Sequence, residues 1–134
     1  MSDQGIERIR LAEQLPEPIS HYTDAVRAGD TLWVSGLLAV DRHGRLIGGS
    51  DVTLQAKQVF HNLTLVLNRA GVGFDDVVKV VVYLVEIEHR AAVNEVRKRH
   101  FGESRPASTL VAVSALAIPG ALVEVDAVVH VPWG

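Results

Sequence analysis

Cysteine is absent from this chain of 134 residues, so disulfides, thiolate metal ligands and a cysteine nucleophile are all excluded. Aromatic residues make up only 5% of it, too few to build a stacking platform for nucleic-acid bases. No apolar run approaches the roughly 20 residues that a membrane span needs. The opening Met1-Ser2-Asp3-Gln4-Gly5 lacks a basic stretch leading into an apolar one, so no signal peptide is visible and a cytoplasmic location is expected. Without secretion, the glycosylation pattern Asn62-Leu63-Thr64 has no use. The formal net charge of -3 gives no attractive field toward a polyanion. A local basic run, Arg97-Lys98-Arg99-His100, reads as a solvated helix end whose cations complement the helix dipole. The six histidines are scattered, with no i, i+4 pair, so no metal site is expected. No phosphate-cradling glycine loop points to a nucleotide cofactor, and no nucleophile elbow supports a serine-histidine-aspartate triad.

What remains is the composition of one ordinary globular domain, 48% hydrophobic and 22% charged, long enough to bury a core. Ile6–Leu11 reads as a short strand, ended by the loop Pro16-Glu17-Pro18. Gly29-Asp30 is a turn, Thr31–Ser35 a strand closed by Gly36, and Asp41–Arg45 a hairpin tip. A helix starts after Ser50 or Asp51, either of which can cap it, and stops at Gly71. Its apolar residues Val52, Ala56, Val59, Phe60, Leu63, Leu67 and Ala70 recur three or four apart and define one packing face. Val77–Val85 is β-branched almost throughout, the pattern of a strand buried on both faces. A second helix covers Arg90–Phe101, and strands at Thr109–Val113 and Leu122–Val131 finish the chain. The order β-β-α-β-α-β-β predicts an α+β domain, residues 1–134, with two helices on one face of a mixed sheet. No segment is left to cover the other face, so self-association is expected.

The last strand alternates strictly: Val123, Val125, Ala127, Val129 and Val131 on one side, Glu124, Asp126 and His130 on the other. Two neighbouring carboxylates repel, which raises the pKa of one and makes it a candidate proton handler. The preceding strand opens on Arg105-Pro106-Ala107-Ser108-Thr109.

Together these segments resemble the RidA/YjgF family of imine and enamine deaminases, formerly described as L-PSP endoribonucleases. That family has Pro-Ala-Arg at the start of its penultimate strand and an Ile-Glu-Ile-Glu-like motif in its last. The resemblance spans nearly the whole chain: Tyr22 stands at an early pocket tyrosine, Trp33-Val34-Ser35-Gly36 at a strand-ending Ser-Gly, and Asn94 at a helix asparagine. Glu124 stands at the water-activating glutamate. The resemblance implies a chorismate-mutase-like six-stranded sheet, a homotrimer whose sheets form an inner barrel, and clefts between subunits that bind a small molecule without cofactor, nucleic acid or membrane. In it, Glu124 is catalytic and Tyr22, Ser35, Gly36, Asn94, Ser108 and Thr109 line the substrate site, with Ser108 and Thr109 at its mouth. Asp126 has a structural part.

One position departs from the pattern. Ser108 stands where the family has the arginine that grips the substrate carboxylate. A hydroxyl offers neither the charge nor the fork of a guanidinium. The expected substrate is therefore not a simple 2-imino acid, or such acids are handled weakly. Arg105 could swing in to compensate, but a residue before proline is extended and its offset points it elsewhere, so a structural contact is expected of it. A metabolite-binding trimer without turnover, a ribonuclease or translation inhibitor, and a purely structural trimer are the rival readings.

Overall fold

The computed structural model describes residues 5–132; the opening residues Met1–Gln4, read above for targeting, lie outside them. Strands β1 (Ile6–Ile9), β2 (Ala25–Ala28) and β3 (Thr31–Leu37) come first, followed by helix α1 (Val52–Ala70) and strand β4 (Val77–Leu84). Helix α2 (Arg90–Phe101) and strands β5 (Ala107–Ala112) and β6 (Val123–His130) complete the order. They form one six-stranded sheet in the order β1-β2-β3-β6-β4-β5. It is mixed, because β4 and β5 run parallel while every other pair is antiparallel. This is the expected α+β layer with one more strand than the sequence pattern showed. The unread strand is β2, where Ala25-Val26-Arg27-Ala28 is too short and mixed to announce itself and is held by pairing on both sides.

Asp51, not Ser50, caps α1: its carboxylate accepts from the N–H groups of Thr53 and Leu54 at 2.9 and 3.2 Å. Gly71 ends the helix in the left-handed region at φ 76°, where a glycine has no Cβ to strain. The buried face holds the expected Val52, Ala56, Val59, Phe60, Leu63 and Leu67, packed on β-sheet residues such as Leu32, Val80, Val125 and Val129.

Two polar residues share that face. Gln55, fully buried, donates to Gly49 O and Gly120 O and accepts from Leu122 N, at 2.6, 2.9 and 2.8 Å. Asn62 donates to Leu38 O and Val40 O, at 3.0 and 2.9 Å, and is only 2% exposed, so its glycosylation pattern is inaccessible. Both amides satisfy loop carbonyls that would otherwise be stranded in the core. In doing so they tie the segments flanking β3 and β6 to the helix.

The expectation of β4 as a strand buried on both faces is corrected by the structure. Val80, Val82 and Leu84 are buried, whereas Lys79, Val81 and Tyr83 on the opposite face are only partly covered and Val78 is 50% exposed. Both helices lie on one side, so the other face has no layer within the chain; it also shows Trp33, 48% exposed. The expected hairpin tip is present: Asp41 N donates to Arg45 O at 3.0 Å, beside a bridge between Val40 and Leu46. No described helix is long and apolar enough to cross a membrane.

Candidate active site

β3 does not stop at Gly36 but passes through it with a bulge. Val34 opposes Ala127 and Leu37 opposes Val125, so Ser35 and Gly36 together face the single residue Asp126. A bulge bends its strand and re-aims the side chains around it. Ser35 N donates to Asp24 O at 3.0 Å and Ser35 Oγ to Thr23 O at 2.6 Å, which fixes the bulged segment on the neighbouring chain. Glu124, on β6, lies against Gly36: a Cβ there would overlap Glu124 Oε2 and stand 2.8 Å from its Cδ. The glycine is needed for space, not for backbone angle. Tyr22, Ser35, Gly36 and Glu124 line one cleft of about 330 Å³, together with Ile19 and Leu38. Tyr22 is 46% exposed at its rim, its hydroxyl accepting from Ile19 N at 3.4 Å.

The alternation expected for β6 holds, with Val123, Val125, Ala127 and Val129 buried and Glu124 and Asp126 half-buried on the open face. Burial, and after it the charge of Asp126, pushes the Glu124 carboxyl above its ordinary range. Asp126 accepts a hydrogen bond from Tyr83 Oη at 2.9 Å. That bond first, then burial and the charges of Asp126 and Glu124, raise the Tyr83 phenol. Tyr83 was missed by sequence reasoning. Its signal is the pairing of β4 with β6, which sets it opposite Glu124.

The remaining expected residues collect elsewhere. Asn94, Arg105 and Ser108 line a groove of about 610 Å³ between α2 and the start of β5, shared with Arg97 and Phe101. Within one chain Ser108 and Thr109 lie on opposite faces of β5. Ser108 pairs with buried Val80 and faces the helices, whereas Thr109 pairs with Val81 on the open face, where its Oγ1 accepts from Lys79 Nζ at 3.1 Å. Strand alternation requires this separation. Among the described residues Arg105 has neither hydrogen bond nor ion pair within the chain. Arg97 instead reaches the strand: its Nη1 donates to Ser108 Oγ at 3.1 Å. It was read as part of a solvated helix end, yet it is half-buried, with its guanidinium carbon over the Phe101 ring at 6.0 Å from the centroid.

One chain therefore holds two separate clusters, a carboxylate cleft on one sheet face and a cationic groove on the other. Among the described residues, no group of three or more histidine, aspartate or glutamate side chains is placed to hold a metal ion.

Known proteins share this architecture. The family model described as endoribonuclease L-PSP matches residues 12–131. A goat protein named 2-iminobutanoate/2-iminopropanoate deaminase is 37% identical over 124 residues, covering 92% of this chain and 89% of its own. The 3-aminoacrylate deaminase RutC of Acinetobacter baylyi is 32% identical over 125 residues, covering 93% and 98%. The crystal structure of RidA from an Antarctic Psychrobacter superposes with a TM-score of 0.85 at 33% identity, covering 92% and 98%. The fold is thus the chorismate-mutase-like one of these proteins.

Proposed function

This chain belongs to the RidA/YjgF family, and on that premise we propose that it hydrolyses a reactive imine or enamine of a small metabolite, with Glu124 as the base. Relatives named as imine and aminoacrylate deaminases support the reaction class. The observation that carries the mechanism is the half-buried Glu124 carboxylate held against Gly36 in a cleft that Tyr22 and Ser35 also line.

Glu124 takes a proton from a water as that water adds to the C=N carbon. The carbon gains a C–O bond, and the electron pair of the C=N bond moves to nitrogen. Glu124 then returns the proton to nitrogen, giving a carbinolamine; it next takes the hydroxyl proton and passes it to the amine, so that the C=O bond forms as the C–N bond breaks and ammonia leaves. An enamine enters the same path after a proton shift to its imine form. A carboxylate whose pKa is raised is suited to the first half, since it takes a proton from water more readily than an ordinary carboxylate does.

The assembly that fits this reading is a homotrimer, in which the β5 groove of one subunit faces the Glu124 cleft of its neighbour. Two features favour it. β5 is an edge strand of the sheet with most of its residues exposed, and the open sheet face has no covering layer of its own. Ser108 alters specificity: relative to a guanidinium, a strand hydroxyl facing a substrate carboxylate gives up about 2–5 kcal/mol. The strand by itself is therefore not built for a simple 2-imino acid. The ribonuclease reading gains nothing beyond the family description, because the net charge is -3 and the aromatic content 5%. A binding trimer without turnover is the alternative.

The test is turnover. An amino-acid oxidase generates imines in place, and the protein is expected to accelerate ammonia release from one or more of them. No acceleration over buffer with any imine or enamine, alongside intact ligand binding, favours the binding trimer.

A further inference from the structure

We infer that Arg97 and Ser108 together form an anion clamp, so that the groove beside β5 takes the carboxylate of a carboxylate-bearing imine or enamine. Four observations converge. Arg97 Nη1 is bonded to Ser108 Oγ at 3.1 Å, which places a guanidinium within the reach that an arginine side chain at 108 would itself have. Ser108 is exposed and on the helix face of β5, so the pair opens into the groove rather than into the core. Arg97 is half-buried and has no carboxylate partner among the described residues, although Lys98 beside it is paired with Glu95 at 3.2 Å. Asn94 and the unpaired Arg105 line the same groove, against a single acid, Glu103.

A guanidinium removed from water and given only a neutral hydroxyl still has donors to offer, and a carboxylate is the group that matches its fork. Burial depresses the Arg97 pKa, but an arginine stays charged throughout the neutral range, so the clamp stays cationic. Phe101 stacks under the guanidinium and Ser108 fixes one nitrogen, which restricts the side chain before ligand arrives. Helix α2 thus supplies what strand β5 lacks. This deepens the proposed deaminase by assigning its substrate class, and rests on that reading only where it places the imine end toward Glu124. It also replaces the expectation of a less charged substrate.

The experiment is calorimetric titration of the whole protein with 2-oxobutanoate and with its neutral amide, in which a carbonyl stands for the imine. Wild type is expected to prefer the acid by on the order of 30-fold. Arg97→Gln removes that preference, Arg97→Lys keeps part of it, and Ser108→Arg in the Arg97→Gln background restores it. Restoration from the strand also separates a lost clamp from a damaged fold. Equal binding of acid and amide by wild type, or an acid preference that survives Arg97→Gln, overturns the inference. The readout is independent of turnover. An Arg97-dependent preference in a protein that hydrolyses no imine leaves the clamp standing and removes the deaminase. Turnover lost in Glu124→Gln with no Arg97 dependence does the reverse.

Discussion

Gly36 and Glu124 are packed so closely that no side chain fits between them: a Cβ on Gly36 would overlap Oε2 and approach Cγ to 3.3 Å. The contact joins a bulged strand to the central one, and it fixes where the carboxylate can stand. Gly36→Ala is therefore expected to displace Glu124 rather than unfold the domain. A misplacement of about 1 Å costs on the order of 100-fold in rate, while the strain lowers stability by about 1–3 kcal/mol. Steady-state kinetics with a thermal melt checks both. A variant with wild-type kcat would show that the carboxylate position is unimportant.

The pH profile follows from the raised carboxyl. A base must be ionised, so kcat/KM rises with pH through the Glu124 pKa, and that limb lies above the ordinary carboxylate range. Asp126→Asn removes the like charge and shifts the limb toward lower pH, though not fully, since burial is the larger cause. A pH–rate profile of the two proteins decides it. A limb that stays in place in Asp126→Asn contradicts the coupling.

Stability carries the opposite sign. Because its folded-state pKa is raised, Glu124 binds its proton more tightly in the native state, so stability falls as pH rises from the unfolded value through the folded one. Above that window the ionised group is a net liability. Glu124→Gln is expected to melt at a higher temperature than wild type at neutral pH, with the gap closing in acid below both values. Melts across pH check this; a variant less stable than wild type at neutral pH contradicts it.

Gln55 reaches three backbone groups from a fully buried position. Gln55→Leu keeps the volume but leaves Leu122 N and the carbonyls of Gly49 and Gly120 without that partner. The cost is about 1–3 kcal/mol for each group left unsatisfied, read from urea unfolding. Leu122 leads directly into β6, so activity is expected to fall along with stability.

Much of this was legible in the sequence because burial imposes period. The β6 alternation from Val123 to Val131 and the α1 stripe from Val52 to Leu67 both place their residues as read. Strand β2 was not legible, since four residues with partial burial carry no period and depend on neighbours far along the chain. β4 is a related case: its β-branched residues on the face that has no layer within the chain look the same in sequence as those packed against the helices. The motif positions Glu124, Ser35 and Gly36 do come together in one cleft, whereas the same motif reading treated Ser108 as a loss. That Arg97 answers it could not be seen, because a hydrogen bond eleven residues apart between a helix and a strand depends on how the two pack.

The claim on which the rest depends is that Glu124 activates water for imine hydrolysis. The most direct measurement compares wild type and Glu124→Gln for both kcat on an oxidase-generated imine and Kd for the matching keto acid. The account predicts that kcat falls by about 100-fold or more while Kd stays within about threefold, since the group lost acts on water and not on the carboxylate. Undiminished kcat in Glu124→Gln would contradict it.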